Sequence, residues 1–183
     1  MSGMPSTDDP IAATRRWLER AVIGLNLCPF AKAVHTKGRI RWVLSEATDT
    51  EALLAQLAAE LQFLAAANPA EVETTLIVHP QVLADFVDYN DFLDLADAAI
   101  EALGLEGTLQ VASFHPDYRF EGTGPDDITN ATNRSPWPTL HLLREGSIAQ
   151  AVADTPDADR IVERNLATLR RLGPAGWRRL FED

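Results

Sequence analysis

The sequence predicts an α/β fold: a mixed, largely parallel four-stranded sheet covered by helices. Two observations predict it. Four short runs rich in β-branched, aliphatic and aromatic residues, at 40–45, 74–78, 108–114 and 139–143, read as strands. The first three are separated by stretches whose apolar residues recur at helical spacing, an order that implies right-handed crossovers and parallel neighbours.

Asp9-Pro10 pairs an N-cap residue with proline at the first helical position, and Ile11, Leu18, Ala21, Val22 and Leu25 follow on one face. A first helix is therefore expected to about Gly24. Cys28-Pro29 repeats the start signal, with Cys28 as the N-cap of a short second helix carrying Phe30, Ala33 and Val34. Thr48 and Glu51 have the spacing of a capping box, and Leu53, Leu57, Leu61 and Leu64 mark the buried stripe of the helix it opens. The nearly continuous apolar run at 74–78 suits a central strand covered on both faces. Pro80 is expected to open a long helix with the stripe Leu83, Phe86, Leu93, Ala96, Ile100 and Leu103, ended by Gly104 as a C-terminal cap. After the fourth strand, helices are expected near Ser147, Pro156 and Trp177.

With 183 residues, 46% of them hydrophobic, the chain is sized for one domain over 1–183 with a substantial core; residues 1–8, small and polar, are expected to be flexible. No run reaches the roughly 20 apolar residues that span a bilayer, and the N-terminus lacks the basic start and apolar run of a secretory signal. Membrane association is not expected, and a cytoplasmic location is. The single Cys28 excludes an internal disulfide, an all-cysteine metal site and a dithiol redox pair. A net charge of -11 opposes generic nucleic-acid binding, which needs a basic surface.

The long connection 115–138 draws attention because loops beyond about 12 to 15 residues are uncommon in compact domains and are often functional. It holds His115, Tyr118, Arg119, Asn130, Asn133, Arg134 and Trp137 beyond the end of a strand, where open α/β sheets bind ligands. The same residues also suit a loop that fastens itself to the core. Cys28 at a helix N-terminus would have its thiolate stabilised by unpaired backbone N–H groups; a lone cysteine beside Leu27 and Phe30 equally suits a small buried hydrophobe.

The leading expectation is an enzyme acting on a small polar or anionic molecule. Cys28 would be nucleophile and His115 general base, while Tyr118, Arg119, Asn130, Asn133, Arg134 and Trp137 would bind the substrate. A binding domain using the 115–138 loop is the alternative, and metal-assisted hydrolysis at His115, Asp126 and Asp127 is a third. His79 and His141, beside and within strands, are assigned packing roles. Cofactor, substrate and oligomeric state are left open.

The segments Leu25-Asn26-Leu27-Cys28-Pro29-Phe30-Ala31, His115-Pro116-Asp117-Tyr118-Arg119-Phe120 and Asn133-Arg134-Ser135-Pro136-Trp137-Pro138 with the following Thr139 to Glu145 resemble the bacterial domain-of-unknown-function family 1415 over the whole chain. That resemblance implies only that these segments belong together in one protein type. Pro138-Thr139-Leu140 with Leu142 and Gly146 also resembles the proline-led strand of thioredoxin-like proteins, implying a cis peptide before Pro138 beside the site. Cys28-Pro29-Phe30-Ala31 resembles the cysteine-first helix of omega-class glutathione transferases.

Overall fold

The computed structural model describes residues 9–183, so the expected flexibility of residues 1–8 lies outside the described residues. Helix α1, Pro10–Trp17, starts as the sequence predicts, with Asp9 Oδ1 accepting from the N–H groups of Ile11 and Ala12. It continues as a π-helical stretch, Leu18–Ile23. Chain ending then takes longer than expected. Asn26 adopts a left-handed conformation (φ 54), and the N–H groups of Leu27 and Cys28 both point back to the Val22 carbonyl.

Cys28 therefore still belongs to the exit from the first helix. Helix α2, Ala31–Thr36, begins three residues later, and its N-cap is Phe30 rather than Cys28. The thiol consequently lacks the helix-terminus setting the sequence suggested.

Strand β1 is Ile40–Leu44 and helix α3 is Thr50–Ala66. Asp49, not Thr48, caps α3, its carboxylate accepting from Ala52 N. Leu53, Leu57, Leu61 and Leu64 are all fully buried, as their spacing predicts. Strand β2, Thr74–Val78, is buried along its whole length. Helix α4, Phe86–Ala102, starts later than Pro80 because Leu83 takes a left-handed conformation (φ 61) and Asp85 supplies the cap. Gly104 (φ 69) ends it as expected.

Strand β3 is Leu109–Phe114 and β4 is Thr139–Arg144; α5, Glu145–Ala153, and α6, Ile161–Arg179, complete the chain. Within α6, Gly173 (φ 70) and Pro174 break the helix and start its last turns around Trp177.

The sheet order is β1-β2-β4-β3. Only β1 and β2 pair in parallel; β4 is antiparallel to both β2 and β3, so a largely parallel sheet is not what forms. The reason is topological. Both crossovers keep β1, β2 and β3 pointing the same way, as the helical spacing implies. The last strand then returns from the far end of β3 and inserts between β2 and β3, where it takes every pairing the two would have made. Among the described residues no peptide bond is cis, so the peptide before Pro138 is trans, against the expectation from thioredoxin-like proteins.

The same topology decides where a site can lie. Because β1-α3-β2 and β2-α4-β3 travel in one direction across the sheet, right-handed crossovers put α3 and α4 on the same face. There Leu57, Leu61, Tyr89, Phe92, Leu140 and Leu142 form the main core. Tyr89 Oη donates to the Thr139 carbonyl and accepts from Phe114 N, joining the ends of β4 and β3. The opposite face is left to α1, its π-helical extension and the chain's C-terminal segment, which pack around Trp17, Leu18, Ala21 and Val22. No helix among the described residues is long and apolar enough to cross a membrane.

Candidate functional site

The 115–138 connection is held by its own polar groups. Asn130 is fully buried; its Oδ1 accepts from Phe120 N and Thr123 Oγ1 while its Nδ2 donates to the Gly124 carbonyl. Asn133 Nδ2 donates to Ser113 O, and Arg134 donates from Nε to Tyr118 O and from Nη2 to Pro125 O. Arg119 Nε donates to Thr123 O at the exposed tip. Tyr118 packs at a tilt against Phe86 and edge to face against Phe120, and Trp137 is half-buried, its carbonyl accepting from Ser135 and Thr139 hydroxyls. Arg119, Asn130, Asn133 and Arg134, which the sequence offered as ligand binders, thus spend polar atoms on the backbone around them.

His115 is fully buried, with both ring nitrogens engaged. Nε2 lies 3.0 Å from the Leu83 carbonyl and must donate to it, while Nδ1 accepts from Asp117 N. Burial lowers its pKa, and the ring packs on Tyr89 and Phe86 of α4. Cys28 lies on the other side of the sheet, half-buried against the Trp17 cluster. The two residues expected to form a nucleophile–base pair are separated by the sheet itself.

The metal-assisted arrangement lacks its ligands. Asp127 caps the turn Ile128–Asn133 by accepting from Thr129 N and Oγ1, bonds that hold its carboxyl below the usual range. His115 has no free nitrogen. Among the described residues, no group of three or more His, Cys, Asp and Glu side chains is placed to hold a metal ion.

What the second face of the sheet does hold is a cavity of about 640 Å³. Its floor is the sheet, where Leu76, His141 and Ala112 form one row across β2, β4 and β3. Trp17 and Phe114, edge to face at 5.1 Å between centroids, close one end. The segment carrying Cys28 and Phe30 forms one wall, and α5 contributes Ile148 and Ala151 to another. Glu73, Arg144 and Asp154 lie at the end where β2 begins and β4 finishes. Most of the remaining lining is apolar, with Thr74, Gln110, Ser147 and Thr155 as its uncharged polar residues.

His141 stands in the middle of the floor. Its Nε2 lies 2.8 Å from Thr74 Oγ1, and that hydroxyl also makes a very short contact with the Leu142 carbonyl. Two oxygens tolerate such closeness only with a proton between them, so the hydroxyl's one proton goes to Leu142 and Nε2–H must donate to the hydroxyl. The ring is then neutral with Nδ1 unprotonated, in keeping with burial that pushes its pKa down to about 4. Nδ1 has no hydrogen-bond partner among the described residues, and His141, half-buried, lines the cavity. Two further polar atoms of cavity-lining residues, Trp17 Nε1 and Arg144 Nε, are buried without a partner among the described residues. Sequence reasoning gave His141 a packing role. The signal that marks it is its alternation with Leu140 and Leu142, which places it on the face opposite the main core.

The family model described as protein of unknown function (DUF1415) matches residues 9–179. The chain belongs to that family. No curated protein and no solved structure matches this DUF1415 chain. The match takes in Cys28, the 115–138 connection and His141 alike, and so covers both the fastened loop and the cavity.

Proposed function

We propose that this DUF1415 protein binds a small, largely apolar molecule in the cavity between the sheet, the Cys28 segment and α5. The observation that carries the reading is the cavity itself. Its volume falls within the roughly 300–1,000 Å³ typical of small-molecule sites, and it combines an apolar lining with few polar groups, the composition such sites share. Burying an apolar ligand there removes about 25 cal/mol for each Å² taken from water, which suffices for binding without a charged anchor.

The test uses N-phenyl-1-naphthylamine, a neutral apolar dye that brightens when removed from water. Titration into the wild-type protein is expected to give saturable enhancement. Ala112→Trp, which puts an indole on the middle of the cavity floor, is expected to weaken it by about tenfold or more. Equal saturation in both proteins would place the dye elsewhere and overturn the reading.

A second reading is thiol-dependent chemistry on the bound molecule, favoured by Cys28 lining the same cavity. The imidazole it would draw on is His141, which shares that cavity, rather than His115, which faces α4.

A further inference from the structure

His141 stands in the middle of the cavity floor, and its Nδ1 is an acceptor without a partner among the described residues. Leu76 and Ala112 flank His141 in register on the neighbouring strands, so a molecule lying across the sheet meets aliphatic surface on both sides and Nδ1 between them. The charged groups stand apart. Arg144 uses Nη2 on the carbonyls of Ala67 and Val72, and Asp154 accepts from Gln150, all at the end of the sheet where the cavity finishes. A ligand charge placed over the centre would therefore have no counter-charge there and would bear its full desolvation cost.

We propose that the ligand is a neutral molecule with an apolar body and a hydrogen-bond donor, a hydroxyl or an N–H, which His141 Nδ1 accepts. This rests on the cavity being a binding site, and it adds the chemical class of the occupant. Thr74 takes part as a positioning residue. By accepting from Nε2–H it fixes the tautomer that leaves Nδ1 free for the ligand. A hydrocarbon of the same shape would bury the Nδ1 lone pair unpaired, whereas a donor satisfies it.

The experiment compares 2-naphthol with 2-methylnaphthalene, which differ by hydroxyl for methyl, by calorimetric or fluorescence titration against the wild-type protein and His141→Phe. Both compounds are expected to bind the wild type. The ratio of their affinities should shift by about tenfold against the naphthol in His141→Phe, the change a net hydrogen bond is worth. An unchanged ratio, with both compounds binding, overturns the donor assignment and leaves the cavity reading intact. Failure of both compounds to bind the wild-type protein overturns both. Should His141→Phe not fold, ¹⁵N resonances of the wild-type ring decide the matter. Nδ1 is expected unprotonated in the free protein and shifted by 2-naphthol but not by 2-methylnaphthalene; a protonated Nδ1, or equal shifts, counts against the proposal.

Discussion

His141 on β4 reaches diagonally to Thr74 on β2, with Nε2 2.8 Å from Oγ1, and this contact leaves Nδ1 as the ring nitrogen available to the cavity. It also ties the neutral ring to the folded state. Unfolding releases the imidazole into water, where it titrates near the ordinary value of about 6.5.

A pH dependence of stability follows. His141 and the fully buried His79, whose Nδ1 donates to the Val82 carbonyl, are both pushed down to about 4 by burial. Between about pH 6.5 and pH 4 the unfolded chain binds more protons than the folded one, so stability rises with pH through that window. The contribution is complete above the unfolded pKa and is lost as the pH falls toward the folded value. Each histidine adds a slope of up to about 1.4 kcal/mol per pH unit. Urea denaturation at several pH values across the window should show the loss, and His141→Phe should show a shallower one. Stability that is flat from about pH 7 to pH 5 would contradict the burial of these rings.

Cys28 and His115 should behave independently. N-ethylmaleimide reacts only with thiolate, and Cys28 is the sole cysteine, so its labelling rate reads one site. Because the sheet separates the pair, His115→Gln should leave the pH profile of labelling unchanged; glutamine retains a donor for Leu83 and an acceptor for Asp117. Saturating N-phenyl-1-naphthylamine should slow the labelling, since Cys28 lines the cavity. A profile that moves in His115→Gln would restore the pairing suggested by the sequence.

The contrast between strands and site explains what could be read in advance. Strand and helix positions follow from apolar periodicity, which the chain writes plainly in Leu53 to Leu64 and in Thr74 to Val78. Strand pairing does not, because nothing local in Thr139 to Arg144 says that this strand enters between β2 and β3. Arg134 and Asn130 illustrate the difficulty for the site. A guanidinium or amide looks identical in sequence whether it meets a ligand or a backbone carbonyl, and here the carbonyls of Tyr118, Pro125 and Gly124 took them. Tyr89 went unmarked for a related reason. Its ring fits the buried stripe of α4, but its value lies in a hydroxyl that joins two strands far away in the chain.

The 115–138 connection offers the sharpest separation between fastening and binding, because the fully buried Asn130 makes three hydrogen bonds within it. Asn130→Ala removes the acceptor for Phe120 N and the donor to the Gly124 carbonyl. Each group left without a partner costs about 1 to 3 kcal/mol when it stays buried, so a loss of about 2 to 4 kcal/mol is expected. Asn130→Asp keeps an acceptor for Phe120 N but sets a second oxygen against the Gly124 carbonyl in a buried place, and should destabilise at least as much. Limited proteolysis supplies the local readout, with new cleavage expected between Arg119 and Asp127 in Asn130→Ala. Dye binding in the cavity, on the face served by Cys28 and His141, should persist in whatever fraction remains folded. A variant that melts like the wild type and resists cleavage would mean that the loop is held by Arg134 and the edge-to-face pair of Tyr118 and Phe120 instead.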